Sequence, residues 1–151
     1  MYLNKDKYSY SKYLLKDFIV NKLKNYDQYR NYDYGLESPF KNVSGLSPYI
    51  SRGILKEVYV LNSLKNISFP HQKFKQEILW RTYWKGWLEL RPNVWSDFII
   101  DLNNLKQEYN ENKNYIEAIE GKTKIECFNT WINELKNDNY LHNHARMWFA
   151  S

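Results

Sequence analysis

Cysteine is nearly missing from this chain: the single Cys127 excludes an internal disulfide and fits a reducing compartment. No apolar run approaches the roughly 18 residues that a membrane span needs. The N-terminus carries Asp6 and no continuous apolar stretch, so no secretory leader and no membrane are expected, and the cytoplasm is the default location. Glycine-rich phosphate loops, Cys-x-x-Cys pairs and His-Glu-x-x-His motifs are all lacking, which removes the commonest nucleotide, redox and zinc signatures. His142 and His144 stand two apart, a spacing that splays them on a helix and argues against a shared metal. No serine or cysteine nucleophile can be matched to a histidine base.

Aromatic residues are abundant instead. They make up 18% of the 151 residues, with 6 Trp and 14 Tyr, in a chain long enough for one domain with a genuine core. Flat rings at this density suit stacking on a flavin, on a base or on one another. Compositional bias explains part of the tyrosine and asparagine content and much less of the tryptophan. The net charge of +5 permits a polyanionic partner, but the 22 basic residues are spread along the chain, as on an ordinary solvated surface.

Apolar residues recur at helical spacing almost throughout. Leu14, Leu15, Phe18, Ile19, Leu23 and Tyr26 predict an amphipathic helix over 10–29. Residues 30–46, with Gly35, Pro39 and Gly45, read as an irregular loop. Ser47-Pro48 supplies a hydroxyl N-cap and a proline at the first helical position. A second apolar face follows through Ile54, Leu55, Val58, Tyr59, Leu61 and Leu64. Pro70 opens a third helix over 71–89, and a fourth covers 94–109. Residues 110–121 read as loop with a short helical turn. Thr123 and Glu126 form a T-x-x-E capping box for a helix to about 137, and a last helix begins near Tyr140. No strand pattern and no repeat is visible, so the fold class is all-α, a single domain over 1–151.

Three segments could carry chemistry. In Leu141-His-Asn-His-Ala-Arg-Met-Trp-Phe-Ala150, Asn143, Arg146 and Met147 share a face beside Trp148 and Phe149, a mixture closer to a ligand wall than to a core stripe. The chain stops at Ser151 without a helix-stop signal, so part of what this segment builds is expected to be missing, and Trp148 and Phe149 are expected to be partly exposed. On the third helix Phe74, Glu77, Arg81 and Trp84 line one face with Trp80 beside them; a surface Glu77–Arg81 pair and a tryptophan core face are the plainer alternatives. The loop Asn42-Val-Ser44-Gly-Leu46-Ser47-Pro48 offers amides, hydroxyls and a helix start that suit a phosphate, or simply begin a helix.

Together these segments resemble the FAD-binding helical domain of the DNA photolyase/cryptochrome family. Val43-Ser-Gly-Leu-Ser-Pro-Tyr-Ile-Ser-Arg-Gly is similar to its T-S-x-L-S-P-Y-L loop, Glu77-Ile-Leu-Trp-Arg-Thr-Tyr to its E-L-x-W-R-x-F/Y helix, and Tyr140-Leu-His-Asn-His-Ala-Arg-Met to its W-x-H-N-R-x-R-M segment. Glu120-Gly-Lys-Thr is similar to the G-x-T-G stretch before the last shared helices, and the resemblance runs from about Tyr26 to Ser151. Trp80-Arg-Thr-Tyr-Trp-Lys-Gly-Trp resembles a bacterial photolyase-related branch.

The resemblance implies roles. Ser44, Leu46 and Ser47 would hold the FAD phosphates, with Asn42 nearby and Tyr29 or Tyr32 packing on the cofactor. Phe74 would keep a flat contact where the family often has Trp, and Arg81, Asn143 and Arg146 would flank the flavin. Glu77, Trp80, Asn143 and Met147 would meet a flipped pyrimidine dimer, Glu77 as polar contact, Trp80 as stacking wall and Met147 as soft filler. The helix with Glu77 and Arg81 would pack beside the one with Asn143 and Arg146. Val43, Gly45, Lys124 and Asn129 depart from the family pattern. The resemblance covers about two-thirds of that domain, so an antenna domain before residue 1 and the last third of the helical domain are expected to be missing. The implied activity is light-driven electron transfer from reduced FAD to split pyrimidine dimers in damaged DNA. In that reading the half-built pocket is expected to bind FAD weakly or not at all, and a complementary C-terminal fragment to restore binding. The alternatives are a cryptochrome-like flavin-binding signalling module without repair, or a non-functional truncated or split-gene helical fragment with no ligand.

Overall fold

The computed structural model describes residues 6–35, 38 and 40–150, and every regular element among them is helical. The all-α reading holds. Leu36, Glu37 and Pro39 of the expected loop, and Ser151 at the chain end, lie outside the described residues. The chain forms two compact units, one built from the residues up to Tyr34 and from Phe40 to Trp87, the other mainly from Leu88 onward.

In the first unit, α1 (Lys7–Asn21) starts at Asp6, whose carboxylate accepts the Tyr8 N–H at 3.0 Å and so satisfies an orphan donor of the first turn. The expected helix over 10–29 is broken at Lys22, where φ turns to −127°. A short 3-10 turn (Leu23–Asn25) and α2 (Tyr26–Tyr29) follow. The Lys22 ammonium is held by Phe40 O at 3.0 Å and the Asp17 carboxylate at 3.4 Å. The break sends Leu23 and Tyr26 into the core with Leu15 and Phe18. Local periodicity gave no sign of it, because both sides of the break keep apolar residues at helical spacing.

The second apolar segment is likewise split, into α3 (Ser47–Ser51) and α4 (Glu57–Ser63). Gly53 lies between them at φ +69°, a left-handed conformation that glycine adopts without strain. The Ile54 and Leu55 amides both turn back to Tyr49 O, which seats Leu55 with no exposed surface. The N-cap of α3 is Leu46 rather than Ser47: the leucine side chain anchors in the core, and no hydroxyl caps the helix. α5 (Gln72–Glu89) crosses this core with Phe74 and Ile78. Phe18, Tyr26 and Phe74 form its centre, with Phe18 and Phe74 ring centroids 4.6 Å apart.

The second unit begins with α6 (Asn93–Tyr109), which has no buried residue. α7 (Lys113–Glu120) is a full eight-residue helix where loop with a short turn was expected. Asn112 caps its start by accepting the Tyr115 N–H at 3.1 Å. Gly121 closes it at φ +70°, with Gly121 N and Lys122 N donating to Ala118 O and Glu117 O. A Cβ at Gly121 would lie 3.1 Å from Ile132, so the glycine also permits close approach of α8 (Glu126–Asp138).

The expected Thr123–Glu126 capping box does not form; Ile125 is the N-cap of α8 and uses no side chain. Asn129 takes over instead. Its Oδ1 accepts Thr123 N at 2.9 Å and Thr123 Oγ1 at 2.8 Å, and its Nδ2 donates to Thr123 O at 2.7 Å. The Ile125 N–H in turn donates to Thr123 Oγ1 at 3.1 Å. One carboxamide thereby satisfies groups that a glutamate three residues into the helix would satisfy only in part. Asn129→Ala is expected to cost about 1–2 kcal/mol, read from urea unfolding, because it strands several partly buried groups at once. α9 (Asn143–Phe149) closes the unit, packed through Leu141 and Ala145, with Phe149 stacked on Phe128 at 5.1 Å.

Candidate functional site

The loop before α3 is tied down by its own polar groups. Asn42 Nδ2 donates to Tyr29 O at 3.0 Å, which fixes the loop to the end of α2. Ser44 Oγ accepts the Leu46 N–H at 3.3 Å. Gly45, at φ +64°, lets the chain reverse against the Phe40 ring, which a Cβ there would meet at 3.4 Å. Leu46 is buried, whereas Ser47 and Pro48 are exposed at the start of α3. Tyr29 is half-buried with its ring 6.0 Å from Tyr32. Of the residues expected to hold the phosphates, Ser44 is bonded to the Leu46 amide, Leu46 is anchored in the core and Ser47 is exposed, while Asn42 ties the loop to Tyr29, one of the two rings expected to pack on the cofactor.

Along α5 the expected face divides by depth. Phe74 belongs to the core, 3% exposed. One turn on, Glu77 pairs with Arg30 rather than Arg81: Arg30 Nη1 donates to Glu77 Oε1 at 2.8 Å. The plainer reading of a Glu77–Arg81 surface pair is therefore not what forms. Arg81 Nε is buried and has no hydrogen-bond partner, an arrangement that leaves a guanidinium donor seeking an acceptor. The Arg81 charge reaches Glu57 instead. Desolvation raises the Glu57 carboxyl, but the Lys85 hydrogen bond at 2.9 Å, with Lys85 and Arg81 charge, holds it below its usual value.

Further out, Trp80, Tyr83 and Trp84 are each about half exposed, at 53%, 54% and 50%, so this is not a buried tryptophan face. Trp80 and Trp84 stack with centroids 6.3 Å apart at 25°, Tyr83 stands edge-on to both, and Trp87 lies 5.6 Å beyond Trp84. The helix presents a solvent-facing ladder of flat rings.

Arg30 and Tyr26 are the residues that sequence reasoning missed. Burial, with the Glu77 charge adding to it, pushes the Tyr26 phenol up to about 12, against a hydrogen bond and positive charge from Arg30. The folded phenol keeps its proton above the unfolded value of 10.0, so the folded state binds more protons at high pH. The stabilisation is complete below pH 10 and is lost as the pH rises through 12. Tyr26→Phe should flatten this alkaline loss in denaturation midpoints measured between those two limits, and remove one late phenol from an ultraviolet titration. An unchanged profile would show that the phenol is not held in the core. No local signal marks Arg30, because its partner lies 47 residues away.

In the second unit, His142 caps α9 through Nδ1, which accepts the His144 N–H at 3.3 Å. The helix thus starts at Asn143, and residues 140–142 form the approach to it outside any regular element. Arg146 Nε donates to Leu141 O at 2.9 Å and bends back over that approach. Asn143 is exposed, as are Met147 at 63% and Trp148 at 68%, while Phe149 is half-covered by Phe128. Asn143, Arg146 and Met147 do share one side of α9. Among the described residues no group of three His, Cys, Asp or Glu could hold a metal, and no helix is long and apolar enough to cross a membrane.

Among the described residues the fold is strand-free, and along the chain it carries in order the loop before α3, the polar and aromatic face of α5 and the Asn-x-x-Arg-Met face of α9. The chain is similar to two proteins named deoxyribodipyrimidine photo-lyase. One, from Vibrio cholerae serotype O1, is 26% identical over 145 residues, which cover 91% of this chain and 30% of that protein. Another, from Buchnera aphidicola subsp. Acyrthosiphon pisum, is 31% identical over 151 residues, covering 87% of this chain and 30% of that protein. The chain therefore spans about 30% of the length of these relatives. No family model and no solved structure matches it.

Proposed function

We propose that this chain provides flavin- and lesion-contacting helices of a photolyase-type protein, one that splits pyrimidine dimers in damaged DNA. The observation that carries the reading is the half-exposed Trp80 at the head of the α5 ring ladder, one turn beyond an ion-paired Glu77, in a segment similar to photo-lyases. A flat, solvent-facing ring beside a carboxylate held in place suits an unstacked base: the ring takes its face and the carboxylate its polar edge. FAD is the cofactor in this reading, and it would supply the electron when reduced and excited by light.

The residues present fit that cofactor in part. Arg81 has a buried Nε without an acceptor, which an anionic or carbonyl-rich ligand would satisfy. Ser44 and Ser47 place hydroxyls at the start of α3, and Asn42 fixes the loop that carries them. Leu46 and Phe74 support from the core rather than touch the ligand. Asn143, Arg146 and Met147 belong to the second unit and share one side of α9.

Binding of a fluorescent single-lesion oligonucleotide and its undamaged twin, over a salt series, tests the proposal. Preference for the lesion, with affinity falling as salt rises, is expected from a stacking residue on a chain of charge +5. Equal binding of both oligonucleotides would defeat the lesion-contacting role. In parallel, Arg81→Gln should weaken quenching of FAD fluorescence by the chain, and an unchanged titration would remove Arg81 from the cofactor site.

A further inference from the structure

We infer that α6 is a self-association element through which two copies of this chain pair as a parallel helical seam. The inference uses none of the flavin- or DNA-facing residues. Trp95, Phe98, Leu102, Leu105 and Tyr109 recur at alternating three- and four-residue steps, the a and d positions of a heptad pattern. Nothing on this 17-residue helix is buried. Trp95, Phe98 and Leu105 are exposed at 67%, 51% and 52%, and Leu102 is half-covered. Tyr109 already touches Tyr115, 6.3 Å away, so the seam is open chiefly from Trp95 to Leu105. Exposed Leu88 and Leu90 extend the apolar surface just before the helix.

The flanking residues decide both occupant and direction. In a parallel pair, the residue just before each a position faces the residue five further along the second helix. Val94 then meets Ile99 of the second copy, apolar against apolar. Asp101 meets Lys106 of the second copy, acid against base, and the two-fold symmetry repeats each match. Neither Asp101 nor Lys106 has an ion-pair partner among the described residues. An antiparallel pair would instead set Asp101 against Asp101, or Val94 against Glu108, and both clash in character. The sequence of α6 is thus complementary to itself in one direction only. At about 25 Å the helix gives a short seam, suited to reversible association.

Sedimentation equilibrium of the full chain, from about 1 to 200 μM, reads this directly. A concentration-dependent dimer is expected, and the double variant Phe98→Asp/Leu102→Asp should be monomeric with unchanged circular dichroism, since neither side chain is buried. Asp101→Lys alone and Lys106→Asp alone should each weaken dimerisation roughly tenfold, and the two together should restore it. In a Cys127→Ser background, Phe98→Cys should oxidise to a cross-linked dimer, because like d positions meet only in a parallel pair. A parent chain that stays monomeric, a dimer indifferent to Phe98→Asp/Leu102→Asp, a paired charge swap without rescue, or failure of Phe98→Cys to cross-link would overturn the inference.

Discussion

Replacing Phe18 with alanine should destabilise the first unit by about 3–5 kcal/mol, the range for removing a buried ring that its surroundings cannot fill. Phe18 has no exposed surface and meets Phe74 at 4.6 Å and Tyr26 at 5.5 Å. The three rings of the cluster come from separate elements: Phe18 from α1, Tyr26 from α2 and Phe74 from α5. Collapse of one into the gap would pull on the others. Domains of this size are stable by roughly 5–15 kcal/mol in total, so such a loss is a large share of the whole. Urea unfolding followed by far-ultraviolet circular dichroism measures it. Phe18→Leu, which keeps most of the volume, should cost about 1–2 kcal/mol. Equal midpoints for Phe18→Ala and the parent would mean that this ring cluster does not organise the unit.

The same cluster positions the candidate site. Phe74 enters the core one turn before Glu77, and Tyr26 enters it one turn before Arg30. The Arg30–Glu77 pair therefore bridges two segments whose preceding turns are already packed together. Its side chains are 26% and 44% exposed, so the pair itself contributes little to stability, in the range of 0–1 kcal/mol. Its effect is on placement. Glu77 is held toward α2, and Arg81, one turn on, is left without that carboxylate.

Helices α5 and α6 were legible in the sequence almost to the residue, because each is a long periodic run bounded by Pro70 or by Arg91-Pro92. Short elements were not. The break at Lys22 depends on a lysine side chain reaching Phe40 O, 18 residues away, which no window of local periodicity contains. The two turns of α7 rest on Asn112 and Gly121, caps around an eight-residue segment in which Tyr115, Ile116 and Ile119 keep helical spacing over too short a run to stand out. The Thr123 motif was recognised as a helix start but given the wrong partner, since Asn129 outcompetes Glu126 by offering both an acceptor and a donor. For the candidate site, the three motifs located the segments. The depth of each residue within them had to come from packing: Phe74 and Leu46 inside, Trp80 and Met147 outside. Arg30 carried no motif at all.

Trp80→Ala should lower affinity for a pyrimidine-dimer oligonucleotide by roughly 1–3 kcal/mol, the range measured when a stacking ring is removed from a base. That corresponds to about 5- to 150-fold in the dissociation constant. The loss should fall on the damaged strand and leave undamaged DNA nearly untouched, because phosphate contacts depend on the basic surface and not on this ring. Fold stability should change little, since Trp80 is 53% exposed and its main neighbours, Tyr83 and Trp84, lie on its own helix. Trp80→Phe should recover part of the affinity, which a purely structural role would not require. Trp84 sets the control: it stacks on Trp80 at 6.3 Å, so Trp84→Ala should reduce lesion affinity by less, through the orientation of its neighbour. If Trp80→Ala binds the lesion as the parent does while its helix content is unchanged, the ring ladder serves something other than a flipped base, and the lesion-contacting role passes from α5.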